Sequence, residues 1–161
     1  MHANADLLQR LYTALDRHEH RTMAACYHPE ARFRDIAFDL QGIKKIHSMW
    51  HMICDTDIHA TFEVVEATDR YGRVKLVDTY TFGAKKDPPK KGRPVRNVIE
   101  SHFVFQDGRI TDHQDFCDPK EWARLALGGP VGFLAGRIRL LRWLAATLKL
   151  KAFTNKHAEY N

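Results

Sequence analysis

The run from Ile58 to Asp118 limits the fold more than any other part of the chain. It holds four β-rich segments in succession: HATFEVVEATD, VKLVDTYTFGA, VRNVIESHFVFQDG and RITDHQDFCD. The first is closed by RYGR and the second by the loop KKDPPKKGRP. The third ends in Asp107-Gly108, a pair that favours a tight hairpin turn. None of these links is long enough for the crossover that parallel neighbours require. The four segments are therefore expected to form one antiparallel sheet in consecutive hairpins.

Upstream, NADLLQRLYTALDRHEHRTMAACYHPEA reads as two helices. Asn4 or Asp6 can cap the first, and Leu8, Leu11 and Leu15 share one of its faces. Met23, Ala24 and Tyr27 give a shorter second helix that must end by His28, ahead of Pro29. ARFRDIAF alternates and reads as a strand over 31–38. IKKIHSMWHMIC carries an apolar stripe of Ile43, Ile46, Met49, Trp50 and Ile53. DPKEWARLALG is a short helix with Pro119 in its first turn. Helices gathered against an antiparallel sheet make an α+β domain.

Period-2 geometry brings chemistry to one face of that sheet. His113 and Asp115 lie two apart on a strand, so an imidazole and a carboxylate point the same way. On the preceding strand only one of Ser101 and His102 can face inward. If Phe103 and Phe105 are core, Ser101 is the inward one, and Glu100 and His102 face out. Phe33, Trp50, Phe62, Tyr80, Phe82, Phe103 and Phe105 read as core, with some of them lining any pocket. His47 and His51 stand at i, i+4, a spacing compatible with a metal. No Glu completes an HExxH motif and no third ligand lies nearby in sequence, so no metal is assigned.

The order and spacing of LYTALDRHEHRTMAACYHPEARFRDIAF, LQGIKKIHSMW and HFVFQDGRITDHQDFCD, with the helix after them, resemble the nuclear transport factor 2-like superfamily. The likeness is to its SnoaL-like and ketosteroid-isomerase-like branches. It implies a cone: a strongly curved antiparallel sheet wrapped around the N-terminal helices, with a mostly apolar pocket. The domain is expected to span 1–127, with a basic helical extension over 128–161. By the resemblance, Asp35 matches the isomerase general base and Asp115 the catalytic Asp of SnoaL-like cyclases. Leu11 falls where isomerases carry an oxyanion tyrosine, with Tyr12 turned about 100° away, and Ser101 falls where they carry a protonated Asp. Steroid isomerisation is therefore not expected.

The expected function is binding of a small apolar molecule in the cone. Cofactor-independent isomerase, cyclase or hydrolase chemistry would use Asp115 as base with His113 and Asp35 assisting. Trp50, Tyr80, Ser101, Phe103 and Tyr12 would contact the ligand. The alternatives are a non-catalytic small-ligand binder and a dimeric interaction module. A homodimer through the outer sheet face is expected.

Charge and cysteine usage narrow the partners. Residues 1–127 hold nineteen basic and nineteen acidic side chains, so the net charge of +5 lies wholly beyond Leu127. A nucleic-acid-binding fold would be basic over its folded face, so no such partner is expected. Lys85, Lys86, Lys90, Lys91 and Arg93 cluster in the KKDPPKKGRP loop, which reads as a solvated hairpin connection. The three cysteines lack CxxC spacing and MHANADLLQR lacks an apolar leader core, which fits reduced thiols in the cytoplasm. In the extension, Leu134, Ile138, Leu141, Ala145 and Leu148 recur at helical spacing, and Arg139, Arg142 and Lys149 share another face. The expectation is one amphipathic helix whose stripe packs on its own domain or a dimer mate, leaving the basic face in solvent. Contact with an anionic membrane surface is the alternative.

Overall fold

The structure is a computed structural model and describes residues 2–84 and 90–160. Helices α1 (Ala3–Asp16) and α2 (His20–Ala24) precede strands β1 (Tyr27–Arg34) and β2 (Asp39–Gln41). Helix α3 (Ile43–Cys54) leads into the meander β3 (His59–Ala67), β4 (Tyr71–Phe82), β5 (Arg93–Gln106) and β6 (Arg109–Phe116). Helices α4 (Pro119–Ala126), α5 (Gly129–Arg137) and α6 (Arg139–Thr154) follow, then a 3-10 turn at Ala158–Tyr160. The strands form one curved, unclosed sheet in the order β2-β1-β6-β5-β4-β3. No described helix is long and apolar enough to cross a membrane.

β3 through β6 pair antiparallel in consecutive hairpins, as the short links require. The sheet as a whole is mixed, however, because β1 lies parallel to β6. The expectation of a wholly antiparallel sheet fails at that one pair. The chain between β1 and β6 is long enough to make the crossover, since the rest of the sheet lies within it.

β1 also begins earlier than expected. Tyr27 is a strand residue, not the end of a helix, and α2 stops at Ala24. Ile110 N–H donates to the Cys26 carbonyl at 3.0 Å, tying the start of β1 to β6. Tyr27 then pairs with Ile110 and Arg32 with Asp112, so residues 28–31 form an irregularity with no ladder partner on β6. Pro29, which has no N–H to offer, sits in that irregularity.

The core lies between the inner sheet face and α1, α2 and α3. Leu8, Leu11, Leu15, Met23, Ile46, Met49, Val74 and Ile110 are all fully buried in it. Sheet parity is as the sequence implied: Ser101, Phe103 and Phe105 point in, and His102 points out.

The C-terminal extension departs from expectation. It is two helices, broken at Ile138 by an extended backbone (φ −110°, ψ 100°). Leu134, Ile138, Leu141 and Leu148 are all exposed, Leu148 by 67%, so the stripe does not pack on its own domain. The buried face of α5 is instead Gly132, Ala135 and Gly136. Those glycines let α5 approach α4 closely: a Cβ on Gly132 would stand 2.6 Å from the Ala123 carbonyl oxygen, and one on Gly136 2.9 Å from Lys120 Cα. In α6 the buried residues are Arg142 and Leu150, with Ala146 and Phe153 partly covered on the same face. Arg142, expected in solvent, donates from Nε to Ile36 O at 3.0 Å and from Nη1 to Ala135 O at 2.6 Å.

Residues 85–89 of the basic loop, including Lys85 and Lys86, lie outside the described residues. Arg93 is not a free loop cation. Its guanidinium donates to the Leu125 and Arg124 carbonyls at the end of α4, at 2.8 and 3.4 Å.

Candidate active site

The inner sheet face carries a directed chain of hydrogen bonds that ends on Asp115. Trp50 Nε1–H donates to Tyr27 Oη at 3.1 Å. An indole N–H is only a donor, so the Tyr27 hydroxyl proton is free to go to His113 Nδ1, 2.8 Å away. The ring proton of His113 then sits on Nε2, which stands 2.8 Å from Asp115 Oδ1. A second chain reaches the same oxygen. Tyr12 Oη–H donates to Ser101 Oγ at 2.7 Å, and Ser101 Oγ–H donates to Asp115 Oδ1 at 2.5 Å. This assignment gives every proton in the network an acceptor. Asp115 Oδ2 takes part in neither chain.

Five elements supply these groups: α1 (Tyr12), β1 (Tyr27), α3 (Trp50), β5 (Ser101) and β6 (His113, Asp115). Ser101 and Asp115 are direct cross-strand partners, as are Phe103 and His113. Aromatic rings seal the network. Phe33 meets His113 edge-on at 4.9 Å between centroids, and Phe103 lies 4.3 Å from it. His113 and Ser101 are completely buried.

Two further carboxyls face the same region. Asp35 closes the β1–β2 turn: its Oδ1 accepts the N–H groups of Ala37 and Phe38, at 2.7 and 2.5 Å. Burial pushes its pKa up to about 6, against those two bonds, with the Asp115 charge adding to the rise. Asp78 on β4 is buried, and its Oδ1 has no hydrogen-bond partner among the described residues. Burial first, then the charges of Asp115 and Asp35, push its pKa up to about 7. Cys117, one residue beyond β6, feels the same three carboxyls, and burial above all pushes its thiol up to about 12.

His113 and Asp115 are thus in direct contact, and Asp35 faces the same region, near enough to feel the charges of both. Tyr12, Ser101, Phe103 and Trp50 come together around His113, but as buried floor and network rather than open wall. Tyr12, not Leu11, is the residue of α1 that reaches Ser101. Tyr80 stands apart from the network and accepts a hydrogen bond from Trp122 Nε1 of α4 at 2.7 Å.

Asp78 escaped the sequence reading. Its signal was present: Val74, Leu76, Asp78 and Tyr80 share a face, so a carboxyl interrupts an inward apolar row. The extension covers this end of the face. Lys149 Nζ stands 5.3 Å from the centroid of the Phe82 ring, the next residue after Tyr80 on that row.

The sequence matches the SnoaL-like domain family over residues 8–113. No curated protein matches the chain. Among solved structures, a candidate polyketide cyclase from Silicibacter sp. tm1040 superposes with a TM-score of 0.68 at 15% identity, covering 77% of this chain and 95% of that one. An LEH-like epoxide hydrolase from M. tuberculosis gives 0.60 at 15% identity, with coverage of 86% and 95%. A protein with a ketosteroid isomerase-like fold from Catenulispora acidiphila, in complex with trimethylamine, gives 0.61 at 13% identity, with coverage of 74% and 91%. At these identities the likeness is one of fold.

The raised carboxyls set a pH dependence of stability. In the unfolded chain Asp35 and Asp78 release their protons near 3.8, whereas in the fold they hold them to about 6 and about 7. Between those limits the folded state binds more protons than the unfolded state, so stability falls as pH rises and levels off above the upper limit. Urea unfolding from about pH 4 to about pH 8 should show that decline, and Asp78→Asn should flatten it. An unchanged slope in the Asn variant would remove Asp78 from the titration.

Proposed function

The chain belongs to the SnoaL-like domain family, and from that premise we propose that it is an acid–base hydrolase of a small, largely apolar molecule. Asp115 is the base and Asp78 the acid. The observation that carries this reading is the contrast between two inward carboxyls. Asp115 has one oxygen held by two donors and the other uncommitted. Asp78 has an oxygen with no partner among the described residues and keeps its proton to near neutrality. A carboxyl that holds its proton to near neutrality, facing the same region as one with an uncommitted oxygen, offers an acid and a base at one site.

The same network argues against an enolate route. That chemistry needs donors aimed at a developing oxyanion. The donors around Asp115 are already engaged: the Tyr12 hydroxyl with Ser101, and the Ser101 hydroxyl and His113 Nε2–H with Asp115 itself. Water is the better nucleophile here, and a strained cyclic ether such as an epoxide the better substrate. Asp115 Oδ2 takes a proton from water as the water oxygen bonds to a ring carbon. The carbon–oxygen bond of the ring breaks, and Asp78 gives its proton to the departing oxygen, yielding a diol. Solvent returns the proton from Asp115 to Asp78. His113 is a positioning residue that holds Asp115, and Asp35 adds negative charge that keeps Asp78 protonated. The epoxide hydrolase among the structural neighbours supports this reading by fold only.

Two surfaces bear on assembly. On the outer sheet face, Tyr71, Val98 and Phe116 are exposed around two shallow depressions of about 440 and 570 Å³. The outer face of such a sheet is either polar or covered, and because this one exposes those apolar side chains we assign it to a homodimer. On the extension, Val131, Phe133, Leu134, Ile138, Leu140, Leu141, Trp143, Leu144 and Leu148 are all exposed. Between Glu121 and Glu159 there is no acidic residue, while Arg137, Arg139 and Lys151 stand among those apolar side chains. Apolar groups set among cations that have no carboxylate partner among the described residues suit an anionic lipid surface better than a protein interface.

Three tests follow from these assignments. With styrene oxide as probe, Asp115→Asn should lower hydration by about 100-fold or more while ligand affinity changes little. Full turnover in that variant would remove Asp115 from the chemistry, and conversion of enones in place of epoxides would favour the isomerase alternative. Light scattering at micromolar concentration should report a dimer that Val98→Asp dissociates, and a wild-type monomer would contradict the assignment of the outer face. The protein should also sediment with phosphatidylserine vesicles at low salt and be released at high salt. Leu141→Glu with Leu144→Glu should abolish that binding, and equal binding to neutral vesicles would count against the electrostatic part.

A further inference from the structure

A cluster of histidines lies away from the carboxyl site, where the end of the chain meets α3. His51 and Asp55 stand at i, i+4, one turn apart at the C-terminal end of that helix. His157 arrives from the other end of the sequence, in the turn after α6. One potential ligand atom from each of the three lies within 4.8 Å of the others. We propose that His51, Asp55 and His157 bind a divalent transition-metal ion of the zinc type, and that the ion clasps the C-terminal segment to α3.

The hydrogen bonds around the cluster prepare it for this. His157 Nδ1 stands 2.9 Å from the Phe153 carbonyl oxygen, which can only accept. The ring proton is therefore on Nδ1, and Nε2 carries a free lone pair. His51 Nδ1 stands 3.0 Å from Tyr160 Oη, and when Nδ1–H donates to that hydroxyl the lone pair on Nε2 is left for a metal. That Nε2 stands 3.7 Å from Asp55 Oδ1, too far for a hydrogen bond. The separation is close to the roughly 3.4 Å expected between neighbouring ligands of a tetrahedral ion with bonds of about 2.1 Å. Outer partners that fix the tautomer and ring plane are what ligating histidines usually have. His20 supplies another constraint by stacking on His51, with centroids 3.7 Å apart and planes 10° apart.

The donor set selects the ion. Two neutral imidazoles and one carboxylate suit zinc, cobalt or nickel, whereas magnesium and calcium prefer all-oxygen sites. Asp55 is more than half exposed, so an ion can enter, and a water can take the fourth position. The site joins residues more than a hundred apart in sequence, so an ion there restrains the extension.

The test uses the full chain, stripped with a chelator and titrated calorimetrically with zinc alone. One equivalent should bind at micromolar affinity or tighter, and the melting temperature should rise with free zinc. Asp55→Asn, which keeps the side chain's shape, and His157→Ala should each weaken binding at least about 10-fold. Circular dichroism should show both variants folded before zinc is added. With zinc bound, cleavage by trypsin after Lys151 and Lys156 should slow in the wild type and not in His157→Ala. The proposal is overturned if zinc does not bind. It is equally overturned if both variants bind as the wild type does, which would place the ion on other histidines. If a folded Asp55→Asn alone binds like the wild type, the three-ligand site is wrong.

Discussion

The buried hydrogen bond between His113 and Asp115 is the interaction on which the inner face depends. A carboxylate taken out of water must be given donors or it destabilises the fold. Here the donors come from outside its own strand as well as within it. His113 can donate from Nε2 only because Tyr27 occupies Nδ1, and Tyr27 is oriented by Trp50. Ser101 can give its proton to Asp115 because Tyr12 supplies one to Ser101. One carboxylate thus couples two helices and three strands. It also explains why the parallel β1–β6 pair matters: without it Tyr27 would not stand above the inward face of β6.

Three carboxyls facing one region, each supplied differently, give three chemical characters. Asp115 takes its two donors on a single oxygen and keeps the other open. Asp35 accepts two backbone N–H groups, which partly offset its burial. Asp78 is buried and Oδ1 has no donor among the described residues, so it keeps its proton to a higher pH than Asp35 does. The residue type is the same throughout. What separates the three is the number of donors within reach and the charge already present nearby.

The sequence made the meander legible because strand parity and short links leave few choices. Ser101, Phe103, His113 and Asp115 were placed on one face by counting alone, and the structure agrees. Tyr27 was misread because helix periodicity ran past Ala24, and the tertiary partners that make it a strand residue lie 23 and 86 residues away. Asp78 was missed because a single carboxyl in a strand carries no local motif, only a break in an apolar row. The extension was misread for a different reason. A leucine stripe signals amphipathicity but does not say which face packs, and in α5 glycine and alanine won because they allow closer approach of the backbones.

The outward leucines of α6 follow from how that helix is anchored. Arg142 is buried, yet its guanidinium meets the carbonyls of Ile36 and Ala135 rather than a carboxylate partner. Two aligned acceptors fix the rotation of the helix at its first turn. Leu150 in the core and the Ser48–Thr154 hydroxyl pair, 2.7 Å apart, fix it near the far end. With residues 142, 146, 150 and 153 turned inward, helical geometry turns Leu141, Leu144 and Leu148 away from the core. Rotating α6 to bury those leucines would pull Arg142 off its acceptors and leave the two carbonyls to find others. The apolar surface is thus held outward by polar anchors within. Its exposure is a consequence of how α6 is fastened over the Asp35 turn, and the surface stays presented for as long as that fastening holds.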